Sequence, residues 1–340
     1  MSFHLILPGL LWPQKALRDT AHDLPLPNLS WLLGRGKLQW QEPVPLETCL
    51  CRLLGCGPDP LQPPAAALRL LGEDGNPGKD IWICADPVHV RIAQGRASLS
   101  GGTLAISPDE MLLLVDALAP QLAEVGEFQA GTAGHAYLRL RKLPHLLAPP
   151  PSAAAARGRL LPSGQDAAHW LRLGNEVQML LHALPLNARR ESAGRPVLNS
   201  LWFWGAGCIP DAAPTAVNYS CLVGDEPVLK GLAAWAGITH HPAVPDATAL
   251  PRSSGTTLLL LDGLRQPAQT LDAGAWRTAL LDIERRWLKP LRDSLRSARL
   301  DSLRLTALGD EATLDIALSR TDAMKFWRRP ASLHRLAFPQ

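Results

Sequence analysis

The chain has 340 residues, 46% of them apolar and 19% charged, with a formal net charge of +3. This is a folded, globular composition, long enough for a sizeable core and two domains, and it excludes a disordered chain. The near-neutral balance gives no bulk pull toward nucleic acid, and no apolar run reaches the ~20 residues of a membrane-crossing helix.

Phe3 to Leu7 is an apolar run closed by Pro8-Gly9, which reads as a buried first strand. Met1 to Leu11 has neither a basic start nor a small-residue cleavage site, so no signal peptide is read and the expected compartment is the cytoplasm. Leu29 to Leu33 and Leu46 to Leu54 read as helices stopped by Gly34 and Gly55, and Pro58 to Pro64 as a linker. Short strands follow at Ile81 to Cys84, His89 to Ile92 and Ala97 to Leu99. Ser107 suits a helix cap, Pro108 its first position, and Glu110 its first turn. Met111, Leu112, Val115, Leu118 and Leu122 continue at helical spacing, and Ala136 to Leu140 is a strand. The Ala/Pro-rich stretch Ala148 to Ala156 is expected to be a linker or loop.

Asp166 to Leu184 has the pattern of an amphipathic helix, and Asn199 to Trp204 that of a buried strand before a turn at Gly205-Ala206-Gly207. A helix over Val228 to Ala236 follows. Thr257 to Leu261 has the continuous apolar character of a central, covered strand. Ala273 to Arg299 reads as one long helix, with strands at Leu303 to Leu308 and Thr313 to Leu318. This alternation predicts an α/β fold with a mostly parallel sheet covered by helices on both faces. A smaller α+β domain is expected as an insertion over 77–149, with 1–76 and 150–340 forming the core. The six cysteines form no CxxC pair and read as free, buried thiols. Arg277, Arg285, Arg286, Lys289, Arg292, Arg296 and Arg299, extended by Lys325 to Arg329, read as a solvated basic face, so nucleic acid is not an expected partner.

Three groups of residues carry a family resemblance. They are Pro27-Asn28-Leu29-Ser30-Trp31-Leu32 with Leu53-Leu54-Gly55; Ala85-Asp86-Pro87-Val88-His89-Val90; and Pro185-Leu186-Asn187-Ala188-Arg189-Arg190 with Gly194, Pro196, Asn199 and Trp204 to Gly207. Together they resemble the cofactor-independent phosphoglycerate mutases of the alkaline-phosphatase-like superfamily. Leu161 to Ala168, Asn175 to His182 and Asn199 to Gly205 are similar to a bacterial offshoot carrying phosphoglycerate mutase or RpfE-type regulatory labels. The resemblance implies an alkaline-phosphatase-like core, two divalent metals such as Mn or Zn, and a hydroxyl nucleophile.

This chain departs from that pattern position by position. The metal-binding Asp of the first strand is matched by Pro8, and a later acidic residue by Trp12. The nucleophile falls on Leu46, beside Glu47 and Thr48. An Asp and a His are matched by Arg265 and Gln269, and an Asp-His pair by Asp310-Glu311; the last His has no counterpart near Ser319 to Asp322. No catalytic residue and no resident cofactor are therefore expected. Asp262, Asp310 and Glu311 are the carboxylates from which a remnant metal site could be built. The substrate side is better kept. Asn187, Arg190, Asn199 and Trp204 are the candidate ligand-binding residues, suited to a small phosphorylated or acidic metabolite. The expected function is that of a non-catalytic, regulatory relative binding such an anion or a protein partner. An active mutase or phosphatase with a remodelled site, and a structural interaction module, are the alternatives.

Overall fold

The structure, a computed structural model, describes residues 1–57, 62–93, 96–99, 104–157, 161–212, 217–251 and 254–338. Its strands, in chain order, are β1 (Ser2–Leu11), β2 (Lys37–Gln41), β3 (Ile81–Val88), β4 (Val90–Ala93), β5 (Arg96–Leu99), β6 (Gly126–Ala130), β7 (Ala136–Leu140), β8 (Ser200–Gly207), β9 (Tyr219–Val223), β10 (Thr239–His241), β11 (Thr256–Leu260), β12 (Ser302–Gly309) and β13 (Thr313–Ser319). The chain divides into two compact units. The first comprises Met1–Cys49, Pro214–Glu226 and Ala236–Gln340, and the second Leu50–Ala213 and Pro227–Trp235.

The first unit holds a seven-stranded sheet in the order β10-β9-β11-β1-β12-β13-β2. β1 is buried continuously from Phe3 to Pro8, so both faces of the sheet are covered there. It pairs in parallel with β11 and β12, His4 standing opposite Leu258 and Arg304. β9 and β10 continue the parallel run. β13 runs antiparallel to β12, because the connection Asp310 to Ala312 is too short to cross over, and β2 pairs antiparallel with β13. The mostly parallel sheet expected from the alternating pattern is thus present, and β2 was not foreseen. The predicted long helix is interrupted. It runs as Ala273–Ile283, loosens to a π turn over Glu284–Leu288 and resumes as Lys289–Arg296, because Pro290 has no N–H to carry the regular ladder through.

A row of linked polar side chains runs across this sheet, with His4, Thr306 and Asp315 buried. His4 Nδ1 is 2.6 Å from the Tyr219 hydroxyl and Nε2 2.7 Å from Thr306 Oγ1. Thr306 donates to Asp315, which also takes Arg304 at 2.7 Å. Burial first, then Arg304, hold His4 down to about 3, against the pull of Asp315. The folded protein thus keeps His4 neutral while an unfolded His4 protonates near 6.5. A depressed histidine favours folding fully above pH 6.5 and loses that contribution as pH falls toward 3. The denaturation midpoint should therefore drop on acidification between pH 6.5 and 4, and His4→Gln should flatten that part of the slope. An unchanged slope in the variant would remove His4 as its source.

The second unit is built on the antiparallel sheet β6-β7-β3-β8, with β4 and β5 as a separate hairpin. It extends beyond 77–149, because β3 takes β8 as its second neighbour and the helices Ala65–Gly72 and Ala167–Ala183 pack on β8. Four residues of the Pro58 to Pro64 segment, 58–61, lie outside the described residues. Gly205 and Gly207 belong to β8 and not to a turn. Their lack of a side chain admits the helix Ala65–Gly72: a Cβ at Gly205 would stand 2.9 Å from the Cβ of Ala65, and one at Gly207 2.7 Å from that of Pro64. Part of the expected linker Ala148 to Ala156 is helical, as Pro151–Arg157; proline suits the first helical position and alanine favours helix. Five cysteines are buried as expected, but Cys208 is exposed.

Candidate functional site

In an open α/β sheet, ligands bind beyond the carboxyl ends of the parallel strands. In the first unit, β9 leads there to Glu226 and β11 to Asp262, and the following turn brings Arg265 between them. Arg265 Nη1 donates to Glu226 at 2.6 Å, and Nη2 to Glu47 at 3.1 Å from the first turn of the helix Leu46–Leu54. Asp262 lies 3.9 Å from the same guanidinium. Burial opposes the charge on Arg265, but Glu226, Glu47 and Asp262 outweigh it and hold Arg265 more firmly protonated than usual. Loss of hydration pushes Asp262 up to about 6, with Arg265 opposing and Glu226 and Glu47 assisting.

The remaining positions of the implied metal site are apolar or dispersed. Pro8 is buried within β1. Gly9 has a positive φ of 78°, and a side chain there would meet the Leu264 carbonyl at 2.8 Å. Trp12 packs on Trp276 with ring centroids 5.2 Å apart, while Trp276 Nε1 donates to the Gly9 carbonyl at 2.8 Å. Leu46 is buried and Gln269 is exposed. Glu311 accepts from the Gln14 amide at 2.9 Å, and Asp310 is exposed and engaged within the protein. Among the described residues no three His, Cys, Asp or Glu side chains converge as a metal site. The residues present do not fit a pair of divalent metals: the cation among these carboxylates is a guanidinium, and a dication beside it would be repelled. His240, one of two adjacent histidines, directs Nε2 to the Gly224 carbonyl at 2.8 Å.

The four candidate ligand-binding residues lie in the second unit, and each is tied into the fold. Asn187 Nδ2 donates to the carbonyls of Leu181 and Leu198 at 2.8 and 2.9 Å, and its Oδ1 accepts from the Leu198 amide at 2.8 Å. Asn199 pairs with both backbone groups of Val90, at 2.7 and 2.8 Å. Arg190 is 1% exposed and donates to Glu110 at 2.9 Å and to the carbonyls of Pro196 and Leu104 at 2.7 Å each. Trp204 Nε1 donates to Asp86 at 2.8 Å. Asn187 and Arg190 share the helix Pro185–Ser192, whereas Asn199 and Trp204 engage different partners, so the four do not line one pocket.

Two networks that sequence reading missed explain this. Ser107 caps the helix as expected, and Glu110, expected only in its first turn, closes a capping box with it and also receives Arg190 and Arg195. A cavity of about 210 Å³ beside it is lined by Ser107, Asp109, Glu110, Arg189, Arg190 and Arg195. Around Trp204, Arg69 makes a two-pronged pair with Asp86 at 2.9 and 2.6 Å and donates to the Tyr137 hydroxyl at 2.9 Å. Its guanidinium stacks 4.8 Å from the Tyr137 ring and 5.4 Å from Trp204. Burial alone would push Asp86 up, but Arg69 overcomes it and holds the carboxyl below its ordinary value.

No protein-family model matches the chain. Over 156 residues it is 31% identical to the 2,3-bisphosphoglycerate-independent phosphoglycerate mutase 2 of Methanothermobacter thermautotrophicus, a match covering 42% of this chain and 37% of that protein. Over 81 residues it is 30% identical to the 2,3-bisphosphoglycerate-independent phosphoglycerate mutase of Methanosarcina barkeri, covering 23% and 20% of the two chains. The matches therefore span well under half the length of these relatives. Among solved structures, the PH0037 protein from Pyrococcus horikoshii shares the fold, with a TM-score of 0.52 and 15% identity over 98% of this chain and 91% of that one. A cofactor-independent phosphoglycerate mutase from Thermoplasma acidophilum aligns over 99% of this chain and 95% of its own, with 19% identity and a TM-score of 0.48. The chain is a distant relative of the cofactor-independent phosphoglycerate mutases.

Proposed function

We propose that this protein is a non-catalytic member of the alkaline-phosphatase-like superfamily that acts by binding, in a regulatory role like that of the RpfE-type offshoot it resembles. One observation carries the reading. Arg265 occupies the carboxylates at the carboxyl ends of β9 and β11, where metal-assisted phosphoryl transfer would need a dication to polarise the phosphoryl oxygens. Pro8 and Trp12 support it, since neither offers a ligand atom to a hard metal. The ligand class that fits the relationship is a small phosphorylated or acidic metabolite, with a protein partner as the other candidate.

The test is metal analysis of the purified protein together with an assay interconverting 3- and 2-phosphoglycerate, with and without added Mn or Zn. The expected result is no turnover above background. Turnover supported by metal and abolished in Asp310→Ala would overturn the reading in favour of a remodelled active enzyme.

A further inference from the structure

Among the described residues, buried guanidinium groups have carboxylate partners, with one exception. Arg69 pairs with Asp86, Arg190 with Glu110, and the partly buried Arg265 with Glu47 and Glu226. Arg35 is only 9% exposed, yet among the described residues no carboxylate comes within ion-pairing distance. Its Nε and Nη1 are sealed from solvent without a hydrogen-bond partner, leaving Nη2 as the nitrogen that solvent can reach. A buried cation without a counter-charge is among the costliest groups a fold can hold.

Two local features offset part of that cost. Arg35 is the last residue of the helix Pro27–Arg35, where the helix dipole favours a cation, and its guanidinium stacks 5.1 Å from the Trp31 ring. Neither supplies a negative charge. The surroundings add positive charge instead. Arg328 Nη1 donates to the Arg35 carbonyl at 3.2 Å. The segment carrying it is held in place, with the Ala331 amide donating to the Ser30 carbonyl at 2.9 Å. Burial, and then the charge of Arg296, pull Arg35 below its usual value. Arg296 and Arg328 are exposed and, like Arg35, have no carboxylate within ion-pairing range among the described residues. Arg328 thus meets the end of this helix at its last carbonyl, and the helix Lys289–Arg296 packs on it, with no carboxylate in ion-pairing range of the three side chains among the described residues.

We propose that Arg35, Arg296 and Arg328 form a binding site for a doubly charged oxyanion of the phosphate class. Three positive charges favour a dianion over a carboxylate, and the planar forks match phosphoryl oxygens. The Trp31 face braces the Arg35 guanidinium, whose Nη2 is the donor left to meet the oxyanion, and Arg296 and Arg328 supply the remaining donors. The site is independent of the loss of catalysis proposed above: a catalytically active protein would leave it standing, and its failure would leave the reading of Arg265 standing.

The test is isothermal titration of the full chain with inorganic phosphate at low ionic strength. Acetate serves as a carboxylate control, and sedimentation with phosphatidic acid vesicles tests a lipid source. The expected result is binding of phosphate that weakens by about tenfold or more in Arg35→Met and severalfold in Arg296→Gln and Arg328→Gln. Arg35→Met should also be at least as stable as the wild type in the absence of phosphate, since it removes an unpaired buried charge. Vesicle binding without free-phosphate binding, lost in Arg35→Met, would assign the same chemistry to a lipid headgroup. Equal binding of acetate, equal affinity in the three variants, or no binding of phosphate or vesicles would overturn the proposal. Should Arg35→Met fail to fold, the two exposed-residue variants decide it.

Discussion

Asp86→Ala should destabilise the protein by about 4 kcal/mol, because it strands the Arg69 guanidinium in a buried site with no counter-charge. Arg69 and Asp86 side chains are only 5% and 12% exposed, so water cannot compensate. The same change deprives Trp204 Nε1 of its acceptor. The double variant Arg69→Met/Asp86→Leu should recover most of the loss, since replacing both charges by apolar groups removes the desolvation cost together with the attraction. Urea denaturation of the full chain, followed by circular dichroism, reads both effects. A single variant within about 1 kcal/mol of the wild type would mean that the pair is not the anchor of the β3–β8 sheet. The result also bears on Trp204 as a ligand-binding candidate, because its only ring donor is held by this pair.

Arg265→Ala should cost about 3 kcal/mol at neutral pH, as Glu47 and Glu226 side chains are 3% and 13% exposed and would lose their shared cation. The loss should depend on pH in a defined direction. Asp262 already stands at about 6, above its ordinary 3.8, and removing Arg265 takes away the one neighbour that lowers it. A carboxyl raised on folding favours the folded state below its unfolded value and loses that contribution as pH rises through the folded value. The deficit of the variant should therefore be small near pH 4 and widen toward pH 7. Millimolar Mn²⁺ should raise the melting temperature of Arg265→Ala and leave the wild type unchanged, because Glu47 and Glu226 would then lack the cation they share. An equal response in both proteins would show that Arg265 is not the resident cation of this cluster.

Much of the fold was legible in the chain. The largely apolar runs of Phe3 to Leu7 and Thr257 to Leu261 read as strands covered on both sides, and the Ser107-Pro108-Asp109-Glu110 pattern states its own helix start. These are local signals, set by period and by capping chemistry. The helix Ala65–Gly72, the strand character of Gly205 to Gly207 and the edge strand β2 were not legible, because each depends on a neighbour distant in sequence. Nothing near Gly205 announces that Ala65 must approach it within van der Waals contact.

The candidate site divides along the same line. The family resemblance sets Pro8, Trp12, Leu46, Arg265 and Gln269 against positions where metal chemistry would need acids, imidazoles and a hydroxyl, and sequence alone determined that none of these side chains is an acid, an imidazole or a hydroxyl. It also determined the charge of Arg265, which no environment in a protein removes. Only the tertiary structure decided what that charge meets. Glu47, Glu226 and Asp262 come from separate parts of the chain, and only the sheet brings their carboxylates to one guanidinium. The converse holds for Arg190 and Arg35. One looked available for a ligand and is held by Glu110 and two carbonyls; the other carried no motif and has no carboxylate in ion-pairing range among the described residues. A side chain's type states what it can bind, but its free valences depend on which distant groups the fold has already brought to it.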